Sequence, residues 1–353
     1  MIAVRDGYKF IGTPHGILLR RLRGPLEDFK AAKHVYSQLC PWNNVRSFVD
    51  HLLKNICYNR DGLVILNKPY GISVKPPTKK NFLSESYLLN TAVVGDCQET
   101  LLDALPYIAE ELGYRSLSPV KTPGRYASGI TILSADESVA KNVRKSMNYG
   151  KVQDKVIYNY WLVVVGQPQP DSGSENIGIT LKKGPGQKES QVILETKWSK
   201  KSVKRQEIFP TFVEYSTLEK GSLCSLVEFK TSRTKWHFIR IYSAYLLSPV
   251  LGDHLYGGRV QHVLGIPVAI SPYSDHAKLP QRLSKQLVAA LELKPGEDLI
   301  IPAHIHFKSL ILRSYEGKNN DLIIDAPPPD YFLWSCKKLM LERACTSKIN
   351  FTI

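Results

Sequence analysis

A dense run of basic and aromatic side chains lies between residues 231 and 258. It contains Arg233, Lys235, Trp236, His237, Arg240 and Tyr242. Arginine and lysine bind phosphate groups, and aromatic rings stack on unpaired bases, so this combination favours contact with single-stranded RNA. A structural role is the alternative, because the apolar residues within the run suit a buried core and its glycines suit turns.

Histidines and cysteines are the residues that could bind a metal. The four histidines of interest are His237, His254, His304 and His306. Their spacing matches no zinc-binding pattern, so we predict no metal. The six cysteines stand far apart, without a C-x-x-C pair. We therefore expect reduced, mostly buried thiols rather than disulfides or zinc ligands.

The apolar pattern predicts the elements that must position these residues. The predicted strands cover residues 63–66, 130–133, 158–165, 223–229, 310–312 and 322–324. Helices are predicted within residues 31–53, over 101–112 and 284–293, and after Ser134, which forms a capping box with Glu137. Because strands and helices do not alternate regularly, the pattern indicates an α+β fold rather than a doubly wound sheet.

The chain is strongly basic. Its 353 residues include 47 Lys and Arg against 32 Asp and Glu, a formal net charge of +15. This excess favours a polyanionic partner, and nucleic acid is the first candidate. The longest apolar runs are far shorter than the roughly 20 residues that cross a membrane, so we expect no membrane span.

Much of this charge is concentrated in residues 182–205, where eight basic residues accompany two acidic ones. We expect an exposed insertion here. It is either a solvated hairpin or a loop that contacts RNA phosphates, and Trp198 among the lysines favours the RNA contact.

Three segments resemble the RluA-type RNA pseudouridine synthases. Residues 61–74 resemble the family's opening strand and its Asn-Lys-Pro-x-Gly turn. Tyr160 stands six residues before Gly166, as the family's active-site tyrosine does before its glycine. Residues 237–240 and 248–257 are similar to its His-Gln-Ile-Arg and His-Pro-Ile-x-Gly-Asp-x-x-Tyr-Gly motifs.

The resemblance implies a domain organisation. Residues 58–335 are expected to form the pseudouridine synthase domain, a mixed, mostly antiparallel sheet with flanking helices and a central RNA cleft. The basic insertion 182–205 lies within it. Residues 1–57 form a basic extension, which fits either a weak mitochondrial presequence or an ordinary N-terminal extension, and residues 336–353 form a C-terminal tail.

The resemblance to mitochondrial members of the family implies isomerisation of uridine to pseudouridine in messenger or ribosomal RNA of the matrix, without a cofactor. The reaction breaks the bond from ribose C1′ to N1 and rejoins the turned uracil through C5, and a carboxylate must assist at C1′. In the family an aspartate supplies it. An arginine matching Arg240 pairs with that aspartate, and a tyrosine matching Tyr160 packs under the flipped base. Here the aspartate position is Gly124.

Three functions remain open when Gly124 is considered together with the resemblance. The first is an RNA pseudouridine synthase. The second is a catalytically silent relative that serves as an RNA chaperone or mitoribosome assembly factor, which is favoured mechanistically because Gly124 offers no carboxylate. The third is an interaction scaffold that does not contact RNA. Expected partners are RNA and mitochondrial RNA-processing proteins.

The site residues expected from the resemblance and the charge pattern fall in two groups. Tyr160 and Arg240 are the candidate catalytic residues. The candidate RNA-binding residues are Lys182, Lys183, Lys200, Lys201, Lys204, Arg205, Arg233, Lys235 and His237. Arg240 either has no carboxylate partner and holds phosphate, or pairs with Asp253 for structure.

Overall fold

The structure is a computed structural model that describes residues 34–76, 93–95, 97–152, 156–187 and 189–342. It also describes the backbone of residues 4–5, 8–13, 16–21 and 153. The chain divides into two compact units, Met1–His34 and Val35–Ile353. Residues 35–57, predicted as part of the N-terminal extension, therefore belong to the second unit.

In the first unit, the basic N-terminal stretch forms three antiparallel strands. They are β1 (Val4–Arg5), β2 (Tyr8–Thr13) and β3 (Gly16–Arg21). β2 pairs with β3 along its whole length, from Tyr8 opposite Arg21 to Thr13 opposite Gly16.

The described strands of the second unit are β4 (Ile56–Arg60), β5 (Leu63–Lys68), β6 (Ser118–Lys121), β7 (Ser128–Ser134), β8 (Tyr158–Val165), β9 (Ser172–Lys183), β10 (Ser190–Glu195), β11 (Ile208–Lys220), β12 (Cys224–Thr231), β13 (Val260–Val263), β14 (Ile266–Ala269), β15 (Ile305–Leu312) and β16 (Leu322–Asp325). All but β13 and β14 form one sheet, ordered β10-β9-β11-β12-β8-β15-β7-β5-β4, with β6 on β7 and β16 on β15. Among these strands the pairing is antiparallel except between β7 and β15.

The described helices are α1 (Val45–Lys54), α2 (Leu101–Glu111), α3 (Glu137–Gln153), α4 (Lys200–Lys204), α5 (Phe238–Tyr245), α6 (Lys285–Ala290) and α7 (Asp330–Lys338). With the mixed, mostly antiparallel sheet, they confirm the predicted α+β class. Within the described residues, no helix combines the length and apolar character needed to span a bilayer.

The predicted elements are largely confirmed. All six predicted strands exist, and β8 has the predicted bounds. The helix predicted near residues 31–53 is confined to α1, and residues 31–33 lie outside the described residues. The predicted capping box before α3 is wrong, because Ser134 ends β7 and Asp136 accepts the Val139 N–H at 2.9 Å instead.

Residues 182–205 were expected to form an exposed insertion, and the structure places two parts of this range, the end of β9 and the whole of β10, in the edge region of the sheet. β9 and β10 form a hairpin in which Lys182 is opposite Gln191, and β9 pairs with β11 on its other side. Val192 of β10 is buried. The other residues of β10 are half-buried, as expected for an edge strand with one covered face.

The central strands are buried on both faces. In β5, Val64 and Leu66 belong to the apolar cluster formed with α1 and α2, whereas Leu63 and Ile65 belong to the larger cluster on the opposite face. Alternate side chains of a strand point to opposite faces, so β5 joins the two clusters. Each such fully buried side chain contributes about 2 kcal/mol of transfer free energy.

Cys40 and Cys97 form a disulfide, with their Cα atoms 5.8 Å apart. The expectation of six reduced thiols is therefore wrong for this pair. The two residues are 57 positions apart in sequence, and they meet because they precede α1 and α2, which pack together. The described free cysteines are Cys57, Cys224 and Cys336, and Cys345 lies outside the described residues.

Two of the four histidines considered as metal ligands are core residues. His304 Nε2 is 2.7 Å from Ser335 Oγ, and His306 Nε2 is 2.9 Å from the carbonyl oxygen of Ala326. Within the described residues, His, Cys, Asp and Glu side chains form no group of three or more that could hold a metal ion.

Candidate functional site

The candidate site lies where three central strands meet. Tyr160 of β8 is opposite Phe307 of β15, and Phe307 is paired in turn with Gly129 of β7. A Cβ atom added at Gly129 would lie 2.3 Å from the Phe307 carbonyl oxygen, so this close approach of the two strands requires glycine. The loop before Gly129, which carries Gly124, is thereby held near Tyr160.

A small cavity is enclosed at this point. Its lining consists of Pro123, Gly124, Tyr126, Ala127, Tyr160, Thr234, His237, Phe238, Ile239 and Ile305. The cavity volume is about 10 Å³, which is no more room than one water molecule needs. These lining residues include no carboxylate.

The Tyr126 ring fills the space beside Gly124. A Cβ atom added at Gly124 would lie 2.3 Å from Cε1 of that ring and 2.9 Å from Cδ1 and Cζ. Carbon atoms that are not bonded to each other prefer separations of about 3.5–4.0 Å, so a side chain at residue 124 would displace the ring. The ring also contacts Arg240, whose guanidinium carbon is 4.5 Å from the ring centroid, and His237, whose ring centroid is 4.6 Å away.

Arg240 forms a buried bidentate ion pair with Asp253. Its Nε donates to Oδ2 at 2.9 Å and its Nη2 donates to Oδ1. The backbone N–H groups of Leu255 and Tyr256 also donate to Oδ1, at 3.1 and 3.0 Å. The side chains of the pair are only 2% and 1% exposed. The structure therefore shows the second alternative for Arg240, and a guanidinium free for phosphate is excluded.

The ion pair determines which nearby groups are charged. Burial opposes ionisation of Asp253, but the charge and hydrogen bonds of Arg240 hold its pKa below the ordinary value. Burial, followed by repulsion from Arg240, lowers the pKa of His237 to about 3. His237 is therefore neutral at physiological pH and brings no positive charge to a phosphate.

The backbone leading into α5 is strained. Trp236 and His237 have positive φ angles of 54° and 60°, a region that costs about 1–2 kcal/mol per residue outside glycine. His237 is the N-cap residue of α5, and Arg240 lies in the first turn of that helix. The turn thus sets the orientation of the first helical turn of α5, which carries Arg240.

Tyr160 lies flat against the centre of the sheet. Its ring stacks on Phe307 with the centroids 4.7 Å apart and the planes 15° apart. Burial, with smaller effects of Tyr126 and Tyr158, raises its pKa well above the ordinary value. Its hydroxyl is therefore protonated. Tyr160, Gly124 and Tyr126 share one cavity, whereas Arg240 stands behind Tyr126.

The predicted RNA-binding residues lie in three places. Lys182 forms an ion pair with Glu195, which raises its pKa, and Lys183 ends β9. The α4 cations (Lys200, Lys201, Lys204 and Arg205) are exposed around α4, which packs on β11. Arg233 and Lys235 flank Thr234 at the rim of the cavity.

Sequence reasoning missed Tyr126, although it stands only two residues after Gly124. The resemblance to the family predicts that Gly124 stands in place of an aspartate, but it carries no signal of which neighbour fills the space. Phe209, whose ring lies beside Lys235, was missed as well, because it is 26 positions away along the chain and meets that residue only in the fold.

No family model matches the chain. The chain is 26% identical over 312 residues to the human mitochondrial mRNA pseudouridine synthase RPUSD3, covering 88% of this chain and 81% of that protein. It is 25% identical over 303 residues to the mouse mitochondrial pseudouridylate synthase RPUSD4, covering 82% and 70%.

A solved structure has the same fold. The human RNA pseudouridylate synthase domain containing 4 protein superposes with a TM-score of 0.60 at 22% identity, over 84% of this chain and 97% of that one. Similarity to such proteins extends over most of the chain. These similarities support the resemblance of its motifs to the RluA-type RNA pseudouridine synthases.

Proposed function

We propose that the chain acts on RNA in the mitochondrial matrix as a pseudouridine synthase, with messenger or ribosomal RNA as its substrate. The names of its relatives support this function. The observation that carries it is the arrangement at the centre of the sheet. Tyr160 and Gly124 line one cavity there, and Arg240 supports the wall that Tyr126 contributes.

Each site residue has a role in this function. Tyr160 supports the flipped uracil, and Arg240, held by Asp253, fixes the wall on the ribose side. The RNA backbone is bound by Lys182, Lys183, the α4 cations, Arg233 and Lys235. Because His237 is neutral, it acts as a hydrogen-bonding or packing residue rather than as a cation. Mitochondrial RNA-processing proteins are further proposed partners.

A second function is favoured by the state of the cavity. This is an RNA chaperone or mitoribosome assembly factor that binds RNA without isomerising uridine. The cavity of about 10 Å³ has no carboxylate in its described lining, whereas ligand pockets usually measure about 300 Å³ or more. Asp253 cannot take over, because Arg240 and two backbone N–H groups occupy its oxygens.

The two functions are separated by measuring binding and chemistry on the same samples. The purified protein is mixed with mitochondrial transcripts, RNA binding is followed by fluorescence anisotropy, and pseudouridine is detected by tritium release and chemical mapping. Tyr160→Phe removes the hydroxyl in the cavity. Tyr158→Phe is the matched control, because Tyr158 lies on the same strand outside the cavity.

Pseudouridine formation that Tyr160→Phe abolishes and Tyr158→Phe preserves would support the synthase. RNA binding without pseudouridine would support the second function. If the folded protein binds no RNA, both the synthase and the RNA chaperone or assembly factor are rejected, and the interaction scaffold remains.

A further inference from the structure

Two lysines from different elements share the Tyr158 ring. Lys121 is the last residue of β6, and its Nζ is 4.7 Å from the ring centroid. Lys151 lies in the last turn of α3, and its Nζ is 6.0 Å from the same centroid. The two positive charges are thus gathered over one aromatic side chain of β8.

Two further cations share the Phe209 ring of β11. Lys235 Nζ is 3.9 Å from the centroid of that ring and 4.5 Å from the centroid of Trp236. The guanidinium carbon of Arg233 is 6.0 Å from the Phe209 centroid. Arg233 and Lys235 are both exposed, so their charged ends remain available to a ligand.

Thr234 joins the two pairs and places them at the cavity. Lys121 Nζ donates a hydrogen bond of 2.9 Å to Thr234 Oγ1. Thr234 lines the cavity together with Pro123 and Gly124. The four cations therefore form one group at its edge, here named the rim cations (Lys121, Lys151, Arg233 and Lys235).

The rim cations repel one another and have no described counter-charge. None of them forms a salt bridge with a described residue. Burial, followed by the charge of Lys151, lowers the pKa of Lys121 to about 8. Burial, followed by the charge of Arg233, lowers the pKa of Lys151. Such a group is stabilised when an anion binds, because the ligand supplies the missing negative charge.

We propose that the rim cations bind consecutive phosphates of the single-stranded RNA segment that passes over the cavity, with Phe209 and Trp236 as the adjacent stacking surface. This proposal rests on the proposed RNA-directed function and specifies where the strand is held. Lysine and arginine bind backbone phosphates without reading sequence, and aromatic rings stack on any base. The site is therefore one for the RNA backbone near the reacting nucleotide rather than for a particular base.

The test compares two variants with the same change in net charge. The rim variant replaces the four rim cations by glutamine. The control variant carries Lys54→Gln, Lys285→Gln, Lys294→Gln and Lys318→Gln, at exposed positions away from the cavity lining. Binding of a fluorescein-labelled oligouridine is measured by anisotropy over a range of salt concentrations. Thermal unfolding of each variant is followed by circular dichroism.

We expect the rim variant to reduce the slope of log affinity against log salt by about 3, because each phosphate contact on a single strand contributes about 0.7. The control variant should change the slope by much less. The unfolding midpoint of the rim variant should stay equal or rise, since its substitutions remove repulsion. Equal losses of slope and affinity in both variants would overturn the proposal while leaving RNA binding intact.

A second measurement keeps the proposal separate from the proposed function. If the wild-type protein binds no RNA, the proposed function fails. Calorimetric titration with inorganic tripolyphosphate then tests whether the rim cations form an anion-binding site. Binding to the wild type and the control variant, but not to the rim variant, would support the anion site. Absence of tripolyphosphate binding to the wild type, or equal binding to all three proteins, would overturn it.

Discussion

Introducing a carboxylate at residue 124 tests how the cavity is closed. Gly124→Asp would place a Cβ atom 2.3 Å from the Tyr126 ring, so the ring must leave its position. It would then lose its cation–π contact with Arg240, worth about 1–2 kcal/mol, and its edge contact with His237, worth about 1 kcal/mol. We expect the free energy of unfolding to fall by about 2–3 kcal/mol, which is about 4 °C in Tm for a unit of this size.

A double-mutant cycle isolates this clash. Gly124→Ala is the control for charge, since it adds the Cβ atom without a carboxylate and should displace the ring as well. Tyr126→Ala removes the ring in advance. The double variant Gly124→Asp/Tyr126→Ala should be about 2 kcal/mol more stable than the sum of the single changes, because both remove the same contacts. Urea denaturation measures the four proteins, and additivity within about 0.5 kcal/mol would refute the reasoning.

The same variants have different expected activities. Only the double variant has both a carboxylate and the space for a base, so its pseudouridine formation should exceed that of Gly124→Asp. The gain should be small, because the turn at Pro123 misplaces the new carboxylate, and an error of about 1 Å lowers the rate roughly 100-fold. A tritium-release assay in which the double variant is no more active than Gly124→Asp would show that Tyr126 does not block the site.

Three other predictions concern binding and stability. RNA affinity should fall steeply with salt because the net charge of +15 favours counterion release, and anisotropy showing equal affinity at low and physiological ionic strength would contradict this. Replacing the α4 cations by glutamine should weaken RNA binding. The Tm should stay unchanged, because these side chains are exposed. Unchanged RNA affinity would show that they only face solvent. Burial lowers the pKa of His237 and His306 to about 3 and that of His304 to about 4. Unfolding therefore takes up protons below the ordinary histidine pKa of about 6.5, and the free energy of unfolding should fall from pH 6.5 to pH 4 by up to about 4 kcal/mol per pH unit. Urea denaturation that gives a flat pH profile would contradict this.

Much of the fold could be predicted from local pattern. The run that ends at Gly166 predicts β8 with its observed bounds. Its β-branched and aromatic residues favour a strand, and the glycine and proline that follow end it. Ser284 predicts the start of α6, and its side chain accepts the N–H of Leu287. These features depend on neighbours in sequence. The prediction failed at Ser134, where two capping residues compete and the strand extends through the first of them.

The sequence by itself carries the resemblance to the RluA-type RNA pseudouridine synthases, which predicts that Gly124 stands in place of an aspartate and that Tyr160 and Arg240 are site residues. Only the tertiary structure decided what replaces that carboxylate. A missing side chain leaves a space, and whether the space stays open depends on contacts among residues from separate elements. Here the close approach of β7 and β15 and the first turn of α5 bring Tyr126 against Arg240, whose own charge is satisfied by Asp253. Packing and electrostatic balance are properties of the folded chain, so no local pattern contains them.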